Sequence, residues 1–448
     1  MRTLIRGGRV IDPANRVDAV MDILCEDGKV ALAGKDLPAA ECTIDAAGRV
    51  VCPGFIDIHM HEDPVGAGGE IAVSIFDCML RMGVTTCVAG NCGTNVYDPV
   101  GYLEKCDKGV PCNVAMLAGH SWAREQAGVE DRYASATEEQ KRREEALLSG
   151  CLEAGCCGIS FGLRYVPGTD RNEFHRAAAV CRDTGKPITA HVRDDADYIF
   201  SAIDEMTEAA EQFGLPLQIS HIGSMAGFGQ MAEVLRRLDI RRMNGLDVTL
   251  DCYPYDAFCT ELGATTYDDG WLERYRCGYD ALEYCEGEWA GKRADAESFR
   301  KLRAQRPEML TVCHVMRPDE IALALKHPAV MIGSDGILND GQGHPRAAGT
   351  FPRVFAEYVK KGSLTLNEAI AKMTSLPAGR MGFAKKGSLG RGMDADIVAF
   401  DPQVIRDRAT FAHPTDAPEG IQAVLVGGVP AVLDGKIVNG RLGRAVRT

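Results

Sequence analysis

No run among the 448 residues approaches the roughly 18 apolar residues that a membrane-spanning helix requires. Positive charge is not in excess either. Lys and Arg number 50 against 63 Asp and Glu, a formal charge of −13. That balance suits neither nucleic acid nor an anionic membrane surface, although it is compatible with a local basic pocket. Arg2, Thr3 and Arg6 interrupt the N-terminus before an apolar segment can form, so no signal peptide is expected. No CxxC pair recurs at zinc-ribbon spacing, which argues against a structural zinc finger. The 17 cysteines are an odd number and fall well short of a disulfide scaffold. Several lie in apolar runs such as Val248-Thr249-Leu250-Asp251-Cys252, so most are expected to be reduced and buried in a cytoplasmic protein. Internal repeats and low-complexity tracts are also missing.

A hydrophobic fraction of 46% and a charged fraction of 25% describe an ordinary globular chain. At roughly 150 residues per domain the length suggests about three domains, but one (β/α)8 barrel with insertions absorbs more than 300 residues. Residues 1–52 and the stretch from about 385 to 448 read as short strands broken by turns. Between them, apolar runs alternate with helix-like stretches of about 15 to 20 residues, the mark of a parallel sheet built from βα units. Eight such runs occur, at 55–59, 84–89, 113–117, 158–161, 187–191, 217–221, 247–252 and 330–334. The expected fold is therefore α/β: a (β/α)8 TIM barrel over 53–384, beside a small β-sandwich or barrel domain made from 1–52 and 385–448.

In a parallel barrel the functional residues sit at the C-terminal ends of strands. His59 and His61 flank Met60, and the two-residue period of a strand puts Asp57, His59 and His61 on one face. Cys92 follows His61 by 31 residues, about one βα unit. His191 follows Cys92 by 99 and His221 follows His191 by 30, each at the end of an apolar run. Asp335 comes 114 residues later, where two units would need about 60. The excess places an insertion after strand seven, at about 254–310. Borderline-soft donors gathered at strand ends fit Zn²⁺ or a similar metal.

Several of these motifs resemble those of a known family. Pro53-Gly54-Phe55-Ile56-Asp57-Ile58-His59-Met60-His61 and Gly387-Ser388-Leu389-Gly390-Arg391-Gly392-Met393-Asp394-Ala395-Asp396 are similar to motifs of the amidohydrolase superfamily. Gly90-Asn91-Cys92-Gly93, Gly162-Leu163-Arg164-Tyr165-Val166-Pro167-Gly168, Ser334-Asp335-Gly336 and Gly343-His344-Pro345-Arg346 resemble the N-acyl-D-amino acid deacylases, or D-aminoacylases. The resemblance spans nearly the whole chain. It implies zinc held tightly by Cys92, His191 and His221, with Cys92 placed to bridge to a second, weaker site at His59 and His61. It implies Asp335 as the catalytic acid/base, and Tyr165 with Arg346 as the anchors of a substrate carboxylate. The partner implied is a small N-acyl amino acid.

Some readings stay open at this level. Cys92 could be a buried apolar cysteine, Asp335 a structural cap, Tyr165 a packed barrel residue and Arg346 a solvated loop residue. The run 138–145 reads most simply as a solvated helix face. His120, His175, His314, His327 and His413 read as surface or satisfied structural residues, and His344 as a neighbour of Arg346 at the mouth. Two departures from the family pattern bear on specificity. Ile222-Gly223 stands where a Lys often follows the sixth-strand His, and Cys259 stands where a Ser is common. The alternative activities are hydrolysis of a cyclic amide, as in hydantoinases and dihydroorotases, and a binding role for an inactive paralogue. The superfamily's bridging Lys is missing from the fourth run, which weighs against the cyclic amides.

Overall fold

The structure, a computed structural model, describes residues 2–448. Eight short parallel strands carry the centre of the molecule: β1 (Phe55–Asp57), β2 (Val84–Ala89), β3 (Asn113–Met116), β4 (Ile159–Gly162), β5 (Ile188–His191), β6 (Leu217–Ile219), β7 (Val248–Cys252) and β8 (Val330–Ile332). All but Thr249 of these residues are buried, as expected of strands covered on both faces. Helices follow most of the strands and turn their apolar stripes inward. Ser74–Arg81, for example, buries Ile75, Phe76, Cys78, Met79 and Leu80.

The strands form two sheets among the described residues, not the single closed ladder expected from eight βα units. One sheet is β1-β2-β3. The other runs from Ala118–Gly119 through β4, β5, β6 and β7 to β8. The breaks have local causes. Leu117 N still donates to Ala89 O of β2, but Ala118 N donates to Gly158 O beside β4, so the chain changes partners at one residue. Beyond β8 the ladder shrinks to Asp335 N→His59 O (2.7 Å) and His61 N→Gly336 O (2.9 Å). Asp335 has a left-handed φ of 50° there, which ends the extended conformation.

The two ends of the chain share one nine-stranded sheet. Val50–Pro53 pairs antiparallel with Ile397–Phe400, and from there the sheet runs through Arg2–Asp12 on one side and Ile421–Val426 on the other. Ile5, Val10, Ile23, Val51, Ile397 and Leu425 fill its own core. The last residues leave this sheet and lie along β3, with Val114 N→Arg444 O at 3.0 Å and Val446 N→Val114 O at 2.8 Å.

Between β7 and β8 the chain builds a separate three-stranded antiparallel sheet, ordered Phe258–Glu261, Leu310–Cys313, Leu282–Tyr284. Tyr267, Trp271, Tyr279 and Phe299 pack edge-on and tilted behind it. This segment leans over the C-terminal ends of the parallel strands and roofs the cavity described next. No described helix is long and apolar enough to cross a membrane.

Candidate active site

A cavity of about 320 Å³ opens at the C-terminal ends of the parallel strands, lined by His61, Cys92, Tyr165, His191, His221, Asp335 and Arg346. His59 lies directly beneath, fully buried. All eight residues singled out from the sequence therefore converge.

The local backbone explains the convergence. β1 runs out at Asp57, which accepts from His59 N at 3.1 Å and from Ser334 N at 2.9 Å, fixing the His59–His61 segment against the end of β8. After β2 the chain turns through Gly90, Cys92 and Gly93, all with left-handed φ. Glycines make that turn inexpensive on either side of the one residue that needs a side chain. Gly162 of β4 has a different job: a Cβ there would fall 1.9 Å from the Cys92 carbonyl oxygen. The Cys92 turn thus packs directly on β4, the strand that has no Lys. His221 is also left-handed, with φ 31°. Its N–H donates to Asp251 Oδ1 of β7 at 2.7 Å, and its Nδ1 meets Ser224 Oγ at 2.9 Å, leaving Nε2 facing Cys92.

Two overlapping donor groups result: His59, His61, Cys92 and Asp335, and Cys92, His191 and His221, each with donor atoms within 4.8 Å of one another. Cys92 belongs to both. Its Sγ stands 3.4 Å from His221 Nε2 and 3.5 Å from His59 Nε2. Donors about 2.0–2.3 Å from one tetrahedral ion are about 3.3–3.6 Å apart, so this spacing suits a shared metal. Both nitrogens of buried His191 lack a hydrogen-bond partner, although its ring lies edge-on to Tyr165 at 4.6 Å and to His221 at 4.5 Å. Thiolate plus imidazole fits a borderline-soft divalent ion such as Zn²⁺.

Electrostatics prepares the donors. Burial opposes the thiolate of Cys92, but His59 and His221 outweigh it and hold the thiol well below its ordinary range. Burial and the neighbouring His221 push His191 down to about 4, so it is neutral with a free lone pair. Asp335 is likewise buried, yet Arg346 and His221 keep it well below the usual carboxylate range. Its Oδ1 lies 3.1 Å from His61 Nε2 and 3.4 Å from His59 Nε2, and its Oδ2 lies 2.8 Å from Arg346 Nη1. Burial disfavours charge on His61, but Asp335 and Cys92 raise it to about 9.

Arg346 is not a solvated loop residue. It is 1% exposed, stacks over the Tyr253 ring at 4.7 Å, and donates from Nη2 to the Cys259 carbonyl at 3.3 Å. The Cys259 contact uses the backbone, so the thiol at that position is not what Arg346 reads. Two supports escaped the sequence reading. Asp251 touches His59 Nδ1 at 3.3 Å as well as His221 N, and Asp195 accepts from Tyr275 OH of the roof at 2.6 Å. A lone acid inside the apolar run Val248–Cys252 was the available signal for Asp251. The run 138–145 also departs from expectation. Lys141 and Glu144 are buried, because the helix Glu138–Glu153 lays that side against its neighbours.

The chain is similar to known proteins over nearly its whole length. The model of the amidohydrolase family matches residues 42–159 and 151–432. An N-acyl-D-glutamate deacylase of Alcaligenes xylosoxydans xylosoxydans is 33% identical, over 95% of this chain and 92% of its own length. The crystal structure of N-acyl-D-glutamate deacylase from Bordetella bronchiseptica, in complex with zinc and a phosphonate mimic of the tetrahedral intermediate, superposes with a TM-score of 0.88 at 30% identity. It covers 100% of this chain and 99% of that one. A D-aminoacylase structure addressing a binuclear metal centre, with one-metal activation and second-metal attenuation, also gives 0.88, at 28% identity and with the same coverage. The chain belongs to the amidohydrolase family and, within it, to the group of the N-acyl-D-amino acid deacylases.

Proposed function

We propose that the protein hydrolyses the amide bond of N-acyl-D-amino acids, releasing a carboxylate and a free D-amino acid. One observation carries the reading: the Cys92, His191 and His221 donors, the Asp335 carboxylate and the Arg346 guanidinium face a single roofed cavity. Supporting it, relatives 29–33% identical over 95% of the chain are an N-acyl-D-glutamate deacylase, a D-aminoacylase and an N-acyl-D-aspartate deacylase, whereas dihydroorotases match over 98% of it at only 25%.

Cys92, His191 and His221 would hold one zinc ion tightly, and His59 and His61, with Cys92 as bridge, a second more weakly. When bound, such an ion supplies Lewis acidity to a water and to the scissile carbonyl. Asp335 Oδ1, between His59 and His61, accepts the proton of the attacking water and returns it to the leaving nitrogen. Arg346 and Tyr165 receive the substrate carboxylate, Arg346 through the guanidinium edge that Asp335 leaves free. The roof built between β7 and β8 limits water access, and its Phe258 joins Val166 and Met225 as apolar lining. With Arg346 committed to the α-carboxylate, the remaining charges of the lining are Glu125, Glu130, Asp195 and Glu261 against Arg124 and Arg132. That balance disfavours an acidic side chain and leads to the expectation of neutral D-amino acids as the better substrates.

The eight strands are read as a (β/α)8 TIM barrel over 53–384 with an insertion at about 254–310. Residues 1–52 and 385–448 are read as the small β domain beside it. All 17 cysteines are unpaired and 14 are buried, which supports a reducing, cytoplasmic setting. The test is a hydrolysis screen of N-acetyl-D- and N-acetyl-L-amino acids with acidic, basic and apolar side chains, with cyclic ureides alongside. Turnover confined to D-isomers is expected. Turnover of the ureides alone would replace this reading with the cyclic-amide one.

A further inference from the structure

Apart from the cavity, one other set of metal-ligating side chains converges among the described residues: His120, Glu144 and Glu173. His120 opens the helix His120–Gln126, Glu144 lies in Glu138–Glu153 and Glu173 in Arg171–Ala179, so three helices meet at this point. Each of the three residues is at most 1% exposed. We propose that they form a structural site for a divalent cation, separate from the reaction centre.

The distances favour coordination over an ion pair. His120 Nε2 stands 3.4 Å from Glu173 Oε1 and 3.7 Å from Glu144 Oε2. A protonated imidazole closes on a carboxylate to about 2.7–2.9 Å, and Glu144, which pairs with no other cation among the described residues, nevertheless stands off at 3.7 Å. Nitrogen and oxygen donors about 2.0–2.2 Å from one ion stand about 3.3–3.6 Å apart. Of the two observed separations, 3.4 Å falls within that spacing and 3.7 Å lies just beyond it.

Hydrogen bonding points the same way. Neither ring nitrogen of His120 has a hydrogen-bond partner, and neither does Glu144 Oε1, though all three atoms are shielded from solvent. Such buried orphans are rare in folded proteins. An ion supplies the missing partner for Nε2 and for Glu144. Glu173 is already oriented from outside: its Oε1 accepts from Arg124 Nε at 2.6 Å and Thr169 Oγ1 at 3.3 Å, and its Oε2 from Ala136 N at 3.3 Å. Metal-ligating carboxylates are commonly held in this way. Phe161 packs tilted against the His120 ring, with centroids 5.2 Å apart. One imidazole and two carboxylates form a harder donor set than the thiolate cluster, suited to Zn²⁺ or Mn²⁺, and the two carboxylates offset the charge of the ion.

Such an ion would pin the helix that presents Ser121 and Arg124 to the cavity against the two helices behind it. The inference is independent of the deacylase activity, and it is tested on the protein itself. Crystals grown with zinc should give an anomalous peak enclosed by His120, Glu144 and Glu173, in addition to density in the cavity. Glu144→Gln and His120→Gln should each lose about one zinc per chain by mass spectrometry. After Co²⁺ loading, both should retain the thiolate charge-transfer absorption contributed by Cys92, which shows that fold and cavity are intact. Peaks in the cavity alone would overturn the proposal and leave a buried ion-pair network. A full zinc complement in both variants would do the same. Loss of the thiolate band in the wild-type protein would instead remove the cavity reading and leave this site standing.

Discussion

Arg346 grips Asp335 by one edge of its guanidinium: Nη1 lies 2.8 Å from Asp335 Oδ2, with both side chains buried. The same guanidinium reaches the Cys259 carbonyl through Nη2, and its Nε makes no hydrogen bond. One planar group therefore ties the acid/base to the backbone of the segment over the cavity and lines that cavity itself. A lysine ammonium cannot divide itself in this way, because it is a single point charge without a fixed fork.

Asp335→Asn keeps the shape and removes the ability to accept a proton. Turnover should fall by about 10²–10⁴-fold while metal content stays near that of the wild type. Arg346→Lys should differ. Loss of a hydrogen bond to a charged group is worth about 1.5–3 kcal/mol, so kcat/KM for the free acid should fall on the order of tenfold to a hundredfold. The telling comparison pairs an N-acyl-D-amino acid with its carboxamide. Wild type should strongly prefer the acid, and the Lys variant should lose most of that preference. Equal treatment of acid and carboxamide by both proteins would remove Arg346 as the carboxylate anchor.

Much of the site could be read in the sequence because it lies where strands end. Period-two alternation put His59 and His61 on one face, and spacing in βα units aligned Cys92, His191 and His221. Asp335 was placed by the same spacing once an insertion after strand seven was allowed for, whereas its acid/base role and Arg346 came through motif resemblance. What escaped depends on tertiary contact. Glu144 sits in a charge-rich run that alone reads as solvated, and its burial follows only from how Glu138–Glu153 meets its neighbours. Asp251 looks like one acid in an apolar strand until His221 N and His59 are brought to it. The closed ladder was expected from the count of eight strands. Its interruption depends on single residues, Leu117 and Asp335, whose backbone partners no pattern reveals.

Asp195 offers a test by pH. Burial raises its carboxyl to about 6, against the opposing influence of Arg164 and the hydrogen bond from Tyr275. The unfolded chain would titrate this group near 3.9, so between about pH 4 and 6 the folded state holds the proton longer. Stability from this group is present at the acid end and is lost as pH rises through 6. Asp195→Asn retains an acceptor for Tyr275 and has no proton to lose. Urea denaturation from pH 4 to 7 should show a flatter profile for the variant, with a relative gain on the order of 2 kcal/mol at pH 7. Parallel profiles would mean that Asp195 does not titrate in this range.

The two donor groups make separable claims about metal. Cys92 Sγ lies within 3.5 Å of both His221 and His59, whereas the unpartnered nitrogens of His191 belong only to the group with His221. If that group is the tight site, His191→Ala and His221→Ala should each lose nearly all cavity zinc on dialysis. His59→Ala and His61→Ala should retain about one tightly held ion, because the thiolate and two imidazoles remain. Cys92→Ala should be the most severe of the five, since it removes the one donor common to both groups and the negative charge that compensates the ion. Binding isotherms with Zn²⁺ would separate the cases, one high-affinity cavity phase surviving in the His59 and His61 variants and none in the others, with any phase from His120, Glu144 and Glu173 common to all five. Equal loss across the four histidine variants would point to a single binuclear unit whose two ions stand or fall together. In that event the division into a tight and a weak site would be wrong, even with every ligand correctly named.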